Sequence, residues 1–224
     1  MASLVSLLTM RDQVRLRVDL VNSSIVTDAE LNGYINASLA KLHGWLVGVD
    51  SEHLLKTQSI TLTGATSYAL ASDFFKDKKV DFLSGGQTFD CQRVSIAEKN
   101  RYTNWPELQT FFNRVSPALA YYIADAYLYV LPLSYTGGSI SLLYYPTAPV
   151  LSADGDTFDS LNRFDEYVIC DVCAKVCRKL NLAEDYAGWV RERDEVKAMV
   201  ETLGQDRDMG DSWGMTRTAR GGRW

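Results

Sequence analysis

The chain has 224 residues, 46 % hydrophobic and 23 % charged, with a formal net charge of −5. That is ordinary globular composition, sized for one domain or one domain carrying an insert. The acidic balance argues against a bulk phosphate-binding surface.

Twelve Tyr, eight Phe and five Trp suit cores and interfaces equally. The apolar run over residues 1–10 has no basic region before it, so no signal peptide is expected. No apolar stretch reaches the roughly eighteen residues of a membrane span.

Taken in order, Thr9 is expected to cap a first helix over residues 10–20, with a loose stripe of Val14, Leu16, Val18 and Val21. Thr27 followed by Glu30 has the spacing of a capping box. It predicts a second helix from Asp28 to about Val47. Leu31, Tyr34, Ile35, Ser38, Leu42, Trp45, Leu46 and Val49 define its inner face.

The period changes after His53. Residues 55–62 alternate and are β-branched, and Thr63-Gly64 ends them, which predicts a strand. Residues 79–83 and 88–94 flank Ser84-Gly85-Gly86, a hairpin signature. Ser95 with Glu98 predicts a short helix over 96–101. Trp105-Pro106-Glu107 predicts another helical turn, with Pro106 at its start. Residues 119–123, 127–131 and 139–145 complete an antiparallel sheet of five to seven short strands, which Pro146 ends. An acidic loop then covers 151–160.

Residues 162–180, NRFDEYVICDVCAKVCRKL, are expected to form the central helix. Phe164, Tyr167, Val168, Asp171 or Val172, Cys173, Val176 and Leu180 recur at three- and four-residue steps. Asn181 and Glu184 predict a capping box for a last helix to about Leu203. After Gly204 the spacing is aperiodic and Gly-rich, which reads as an extended tail. Beyond Asp211 it carries Arg217, Arg220 and Arg223 with no acid, and Trp213 and Trp224.

The expected fold class is α+β. Helices from 1–50 and 151–204 form a bundle, 51–150 is an inserted antiparallel β module, and 205–224 is an extended C-terminal arm. Its expected core includes Tyr34, Ile35, Leu42, Val168, Cys173 and Val176.

Little in the chain resembles a catalytic or metal motif. Cys170, Cys173 and Cys177 share one helix, with His43, His53 and Cys91 remote, so buried structural thiols are expected in place of zinc. Asp154, Asp156, Asp159 and Glu166 suggest calcium only superficially. In a loop starting at Asp154, Thr157 and Phe158 stand where a central Gly and a ligand belong. No nucleophile elbow or phosphate loop occurs. Neither an enzyme nor a cofactor is expected.

Four blocks carry a resemblance. They are TDAELNGYINASLAKL over 27–42, YALASDFFK over 68–76 with Val80-Asp81 following, RVSIAEKNRY over 93–102, and LYYP over 143–146 with 162–180 and, at its end, Arg207-Asp208. In this order the chain resembles the head–tail connector, or adaptor, proteins of tailed bacteriophages. The resemblance implies a structural virion protein at the neck, assembled in the host cytoplasm. It further implies a homomeric ring, a dodecamer, between the portal and a tail, stopper or nozzle protein, extending the DNA channel and completing the head. It implies DNA passing without specific binding, and no membrane. The portal-binding arm would include Arg207, Trp213, Arg217, Arg220, Arg223 and Trp224. The competing reading is a soluble regulatory or nucleic-acid-associated module with a basic tail.

Overall fold

The structure, a computed structural model, describes residues 4–20, 25–49, 51–102, 119–133, 136–159 and 164–208. The fold is mixed α/β, with four α-helices among the described residues and mainly antiparallel sheets. Two compact units divide the chain: Met1–His53 with Ala148–Trp224, and Leu54–Thr147.

In the first unit, β1 (Leu4–Ser6) runs directly into α1 (Leu7–Arg17). Ser6 is extended and its hydroxyl accepts from the Thr9 N–H. The cap is therefore Ser6, three residues ahead of Thr9, because its oxygen satisfies a first-turn amide. The helix also ends earlier than residue 20. Asp19 takes φ 54, and the Leu20 N–H bonds the Arg15 carbonyl, closing the last turn.

Helix α2 (Asp28–Gly48) starts at the Thr27–Glu30 capping box, with both reciprocal bonds formed. The acidic segment is more than a loop. Its end, β10 (Thr157–Asp159), pairs antiparallel with β1, Val5 opposite Phe158. Asp156 accepts from the Ser152 and Ala153 amides, so that acid closes a local turn.

Helix α3 (Phe164–Lys179) touches α1, α2 and the last helix, α4 (Ala183–Asp208). Eleven of its sixteen residues are buried, Phe164, Val168, Cys173 and Val176 among them. Asn181 does not cap α4. It sits at φ 59, and the Leu182 N–H returns to the Cys177 carbonyl. This is the left-handed turn that ends a helix, which Asn tolerates better than most residues. Helix α4 passes Gly204 and carries Gln205–Asp208, the first residues of the expected arm. The rest of the arm lies outside the described residues, as do Asn162 and Trp105-Pro106-Glu107.

The second unit has eight strands among its described residues, in two four-stranded sheets, more than the five to seven expected. The first sheet runs β2 (Lys56–Thr63), β9 (Thr136–Pro146), β4 (Phe74–Ser84), β5 (Gln87–Asp90). The second runs β3 (Tyr68–Ala69), β8 (Tyr127–Leu131), β7 (Ala120–Ala124), β6 (Gln92–Arg93). Only the β6–β7 pair is parallel. The two-residue strands β3 and β6 are too short for any alternation to show in sequence.

Gly85 and Gly86 both take positive φ between β4 and β5, as a tight hairpin demands. Alternate residues of both sheets meet in one cluster that includes Ile60, Val80, Phe82, Tyr121, Leu128 and Ile140. Gly138 is required there: at φ +79, an added Cβ would lie 2.6 Å from both the Leu83 carbonyl oxygen and the Phe82 ring. Residues 96–101 form no α-helix. Ser95 Oγ bonds the Glu98 carboxylate at 3.0 Å, and only a 3₁₀ turn, Lys99–Tyr102, follows.

Candidate functional site

The helical unit contains a buried ion cluster that periodicity had hidden. Asp171 lies on the apolar face of α3, 3 % exposed. Its carboxylate accepts from Ser38 of α2 at 2.9 Å, and pairs with Lys175 at 2.9 Å and Arg193 of α4 at 3.2 Å. Lys41 stands 3.5 Å away. Burial alone would raise the Asp171 pKa. The Lys175 bond and charge, with Ser38 and Lys41, reverse this and hold it at about 2. One carboxylate thus ties α2, α3 and α4 together.

A second cluster joins α1 to α3. Arg17 grips Glu166 with two bonds, 2.5 and 2.9 Å. Glu166, Cys170 and Glu192 bring ligand-type atoms within 4.8 Å of one another. The chemistry there is nevertheless that of an ion pair. Both Glu166 oxygens are engaged by a guanidinium, and burial, then Glu166, pushes the Cys170 thiol up to about 12. Burial also raises Cys173 and Cys177. All four cysteines are free thiols.

In the β unit, two tyrosine–aspartate pairs link segments distant in sequence. Tyr121 donates to Asp77 at 2.9 Å, and Arg93 pairs with the same carboxylate at 2.9 Å. Tyr144 donates to Asp73 at 2.9 Å, which Lys56 also holds at 2.7 Å. Tyr122 and Tyr129 stack at 4.6 Å, with Lys99 over the Tyr122 ring. These contacts fasten strands; none sets a nucleophile beside a base.

A concavity lies in the helical unit among the described residues. It is a groove of about 460 Å³ between the end of α1 and the first turns of α4. Val18, Leu182 and Trp189 give it apolar walls, while Asp19, Glu184, Asp185 and Glu192 ring it with negative charge. Every residue from Asn181 to Gly188 is exposed.

Of the residues singled out in the sequence, Ile35, Leu42, Val168, Cys173 and Val176 are buried, and Tyr34 is half-buried. Arg207 falls in the last turn of α4. Trp213, Arg217, Arg220, Arg223 and Trp224 lie outside the described residues.

A family model described as SU10 adaptor protein matches residues 5–219, nearly the whole chain and both units. The chain belongs to the SU10 adaptor protein family. None of the curated proteins matches it. The family is one of phage structural adaptor proteins and not of enzymes. The ion clusters above serve as fasteners within each unit. Among the described residues no helix is long and apolar enough to cross a membrane.

Proposed function

We propose that this SU10 adaptor forms a homomeric ring of twelve copies in the virion neck. The ring sits between the portal and a tail, stopper or nozzle protein. It extends the DNA channel and completes the head after packaging. The observation that carries the reading is the family match over residues 5–219.

Physical chemistry supports it in two ways. A large closed ring needs two different, complementary faces on each subunit, and a chain with one helical and one β unit offers dissimilar surfaces. A channel that passes DNA must not hold phosphates tightly, and a net charge of −5 suits that. In this reading the helices form a bundle, and the C-terminal arm with Arg207, Trp213, Arg217, Arg220, Arg223 and Trp224 docks on the portal. Ordering an arm costs about 1–2 kcal/mol per residue in backbone entropy. Exposed ion pairs, at about 0–1 kcal/mol each, do not offset that. A seat between portal subunits, with arginine–carboxylate bonds and a buried Trp, does.

The test is mass measurement and imaging of the full chain, alone and mixed with portal. Portal-dependent rings of about twelve copies are expected, and deletion of 209–224 should abolish stable attachment while the fold melts unchanged. A two-fold dimer or a single copy at the neck would exclude the ring.

A further inference from the structure

The first turns of α4 lack the cover that its later turns have. Val196 and Val200 are buried, and stepping back along that face by helical spacing reaches Glu192, Trp189 and Asp185. Those three line the groove, and Glu192 also faces Glu166 and Cys170 of α3. Beside them Leu182 is 40 % and Tyr186 37 % exposed. Gly188 adds to the opening, since a Cβ there would meet nothing within 4 Å. The first two turns of α4 are therefore open beside a cleft with an apolar wall and an acidic rim.

We propose that the groove is the seat of the chain's own C-terminal arm, residues 209–224, on the same subunit before that arm engages another protein. Two observations select this occupant. The first is charge. The groove carries Asp19, Glu184, Asp185 and Glu192, and the one cation among its described lining residues, Arg17, is committed to Glu166. The arm carries Arg217, Arg220 and Arg223 against the single acid Asp211, with Trp213 and Trp224 to fill an apolar cleft. Guanidinium groups on carboxylates and on the Trp189 ring are the pairings such a cleft offers.

The second is length. The arm leaves at Asp208, and Asp185 lies 23 residues back along α4, about 35 Å at 1.5 Å per residue. Sixteen extended residues reach about 50 Å. Arg217, nine residues out, reaches about 30 Å, and Arg220 about 40 Å. These reaches are long enough for the arginines to meet Glu192, Asp185 and Glu184 on the return. Tethering makes the contact intramolecular and raises its effective concentration into the millimolar range, about what a short linker gives.

The inference rests on the adaptor reading only in naming a later destination for the arm. Limited trypsin digestion of the full chain tests it, read at Arg217, Arg220 and Arg223. The comparison is with the Glu184→Gln/Asp185→Asn/Glu192→Gln variant and, separately, with Gly188→Leu, which fills the cleft without changing charge. All four positions are exposed, so melting should match the parent and confirm that both variants fold. Cleavage at the three arginines is expected to be about tenfold faster in each variant, and faster in the parent at high salt.

Protection should not change when the protein is diluted a hundredfold. Equal rates in parent and variants would overturn the proposal. Protection lost on dilution would also overturn it, placing the arm on a second copy. If rates are equal yet the arm is still required for portal attachment, the seat fails and the adaptor reading stands. If the arginines are protected yet attachment ignores the arm's deletion, the reverse holds.

Discussion

The interior of the helical unit holds a carboxylate, Asp171, with Ser38, Lys175 and Arg193 gathered on it from three helices. The central cluster of the β unit is built of apolar residues and tyrosines, with its charges at the rim, where Tyr121 and Tyr144 reach Asp77 and Asp73. The difference follows from how each kind of element is held in register. Strands fix their offsets through ladder bonds, as in the long β4–β9 pairing, so their side chains need only fill space. Helices satisfy their backbones internally and slide on an apolar face unless something polar pins them. A buried carboxylate that must meet donors from α2 and α4 supplies that pin.

The largest expected effect lies on the β side. Phe82 is fully buried and stacks on Phe89 at 6.2 Å. Phe82→Ala should cost about 3–5 kcal/mol through lost transfer energy and the cavity left behind. Chemical denaturation followed by tyrosine and tryptophan signals measures it. A loss under about 1 kcal/mol would mean that the two sheets collapse onto the space, and that the cluster is not close-packed.

On the helical side, Asp171→Asn keeps volume and removes charge. Lowering a carboxyl from its usual value near 3.8 to about 2 corresponds to about 2 kcal/mol of stability at neutral pH. The sign is fixed by the depressed pKa. The contribution is fully present above the unfolded value near 4 and is lost as pH falls through about 2. The gap between parent and Asp171→Asn should therefore close between pH 4 and pH 2. A gap independent of pH would assign the cost to misplaced amide geometry and remove the pin from the account.

This cluster also marks where the sequence was legible and where it was not. Alternation at Ser59–Leu62, the Gly85-Gly86 turn and the Thr27–Glu30 box are local, and each appears in the fold where its pattern placed it. Asp171 sits on the helical stripe and so read as part of an apolar face. Its partners Ser38 and Lys41 lie 133 and 130 residues away, beyond any periodic signal. The Ser95–Glu98 and Asn181–Glu184 pairs had capping spacing but became a side-chain pair and a left-handed helix end. Spacing cannot say which of two bonds an oxygen will choose. The α1–α4 groove was equally invisible, because it depends on where α4 parts from its neighbours.

The smallest expected effect returns to the rim of the β unit. Tyr121→Phe removes one donor to Asp77, but Arg93 still holds that carboxylate at 2.9 Å. The acceptor is not orphaned, so the loss should be about 1 kcal/mol, near that of a typical net hydrogen bond. Its pH dependence runs opposite to that of Asp171. Burial, then the Asp77 charge, pushes the Tyr121 phenol well above its usual value of 10. Above pH 10 the unfolded phenol ionises while the folded one does not, so the parent loses stability there and the phenylalanine variant is spared. The gap between them should narrow as pH rises from 10 to 11. Should the gap instead widen, the Tyr121 hydroxyl would have to ionise more easily in the fold than in the open chain. A phenol bonded to a carboxylate cannot do that, so the Tyr121–Asp77 contact itself would be refuted.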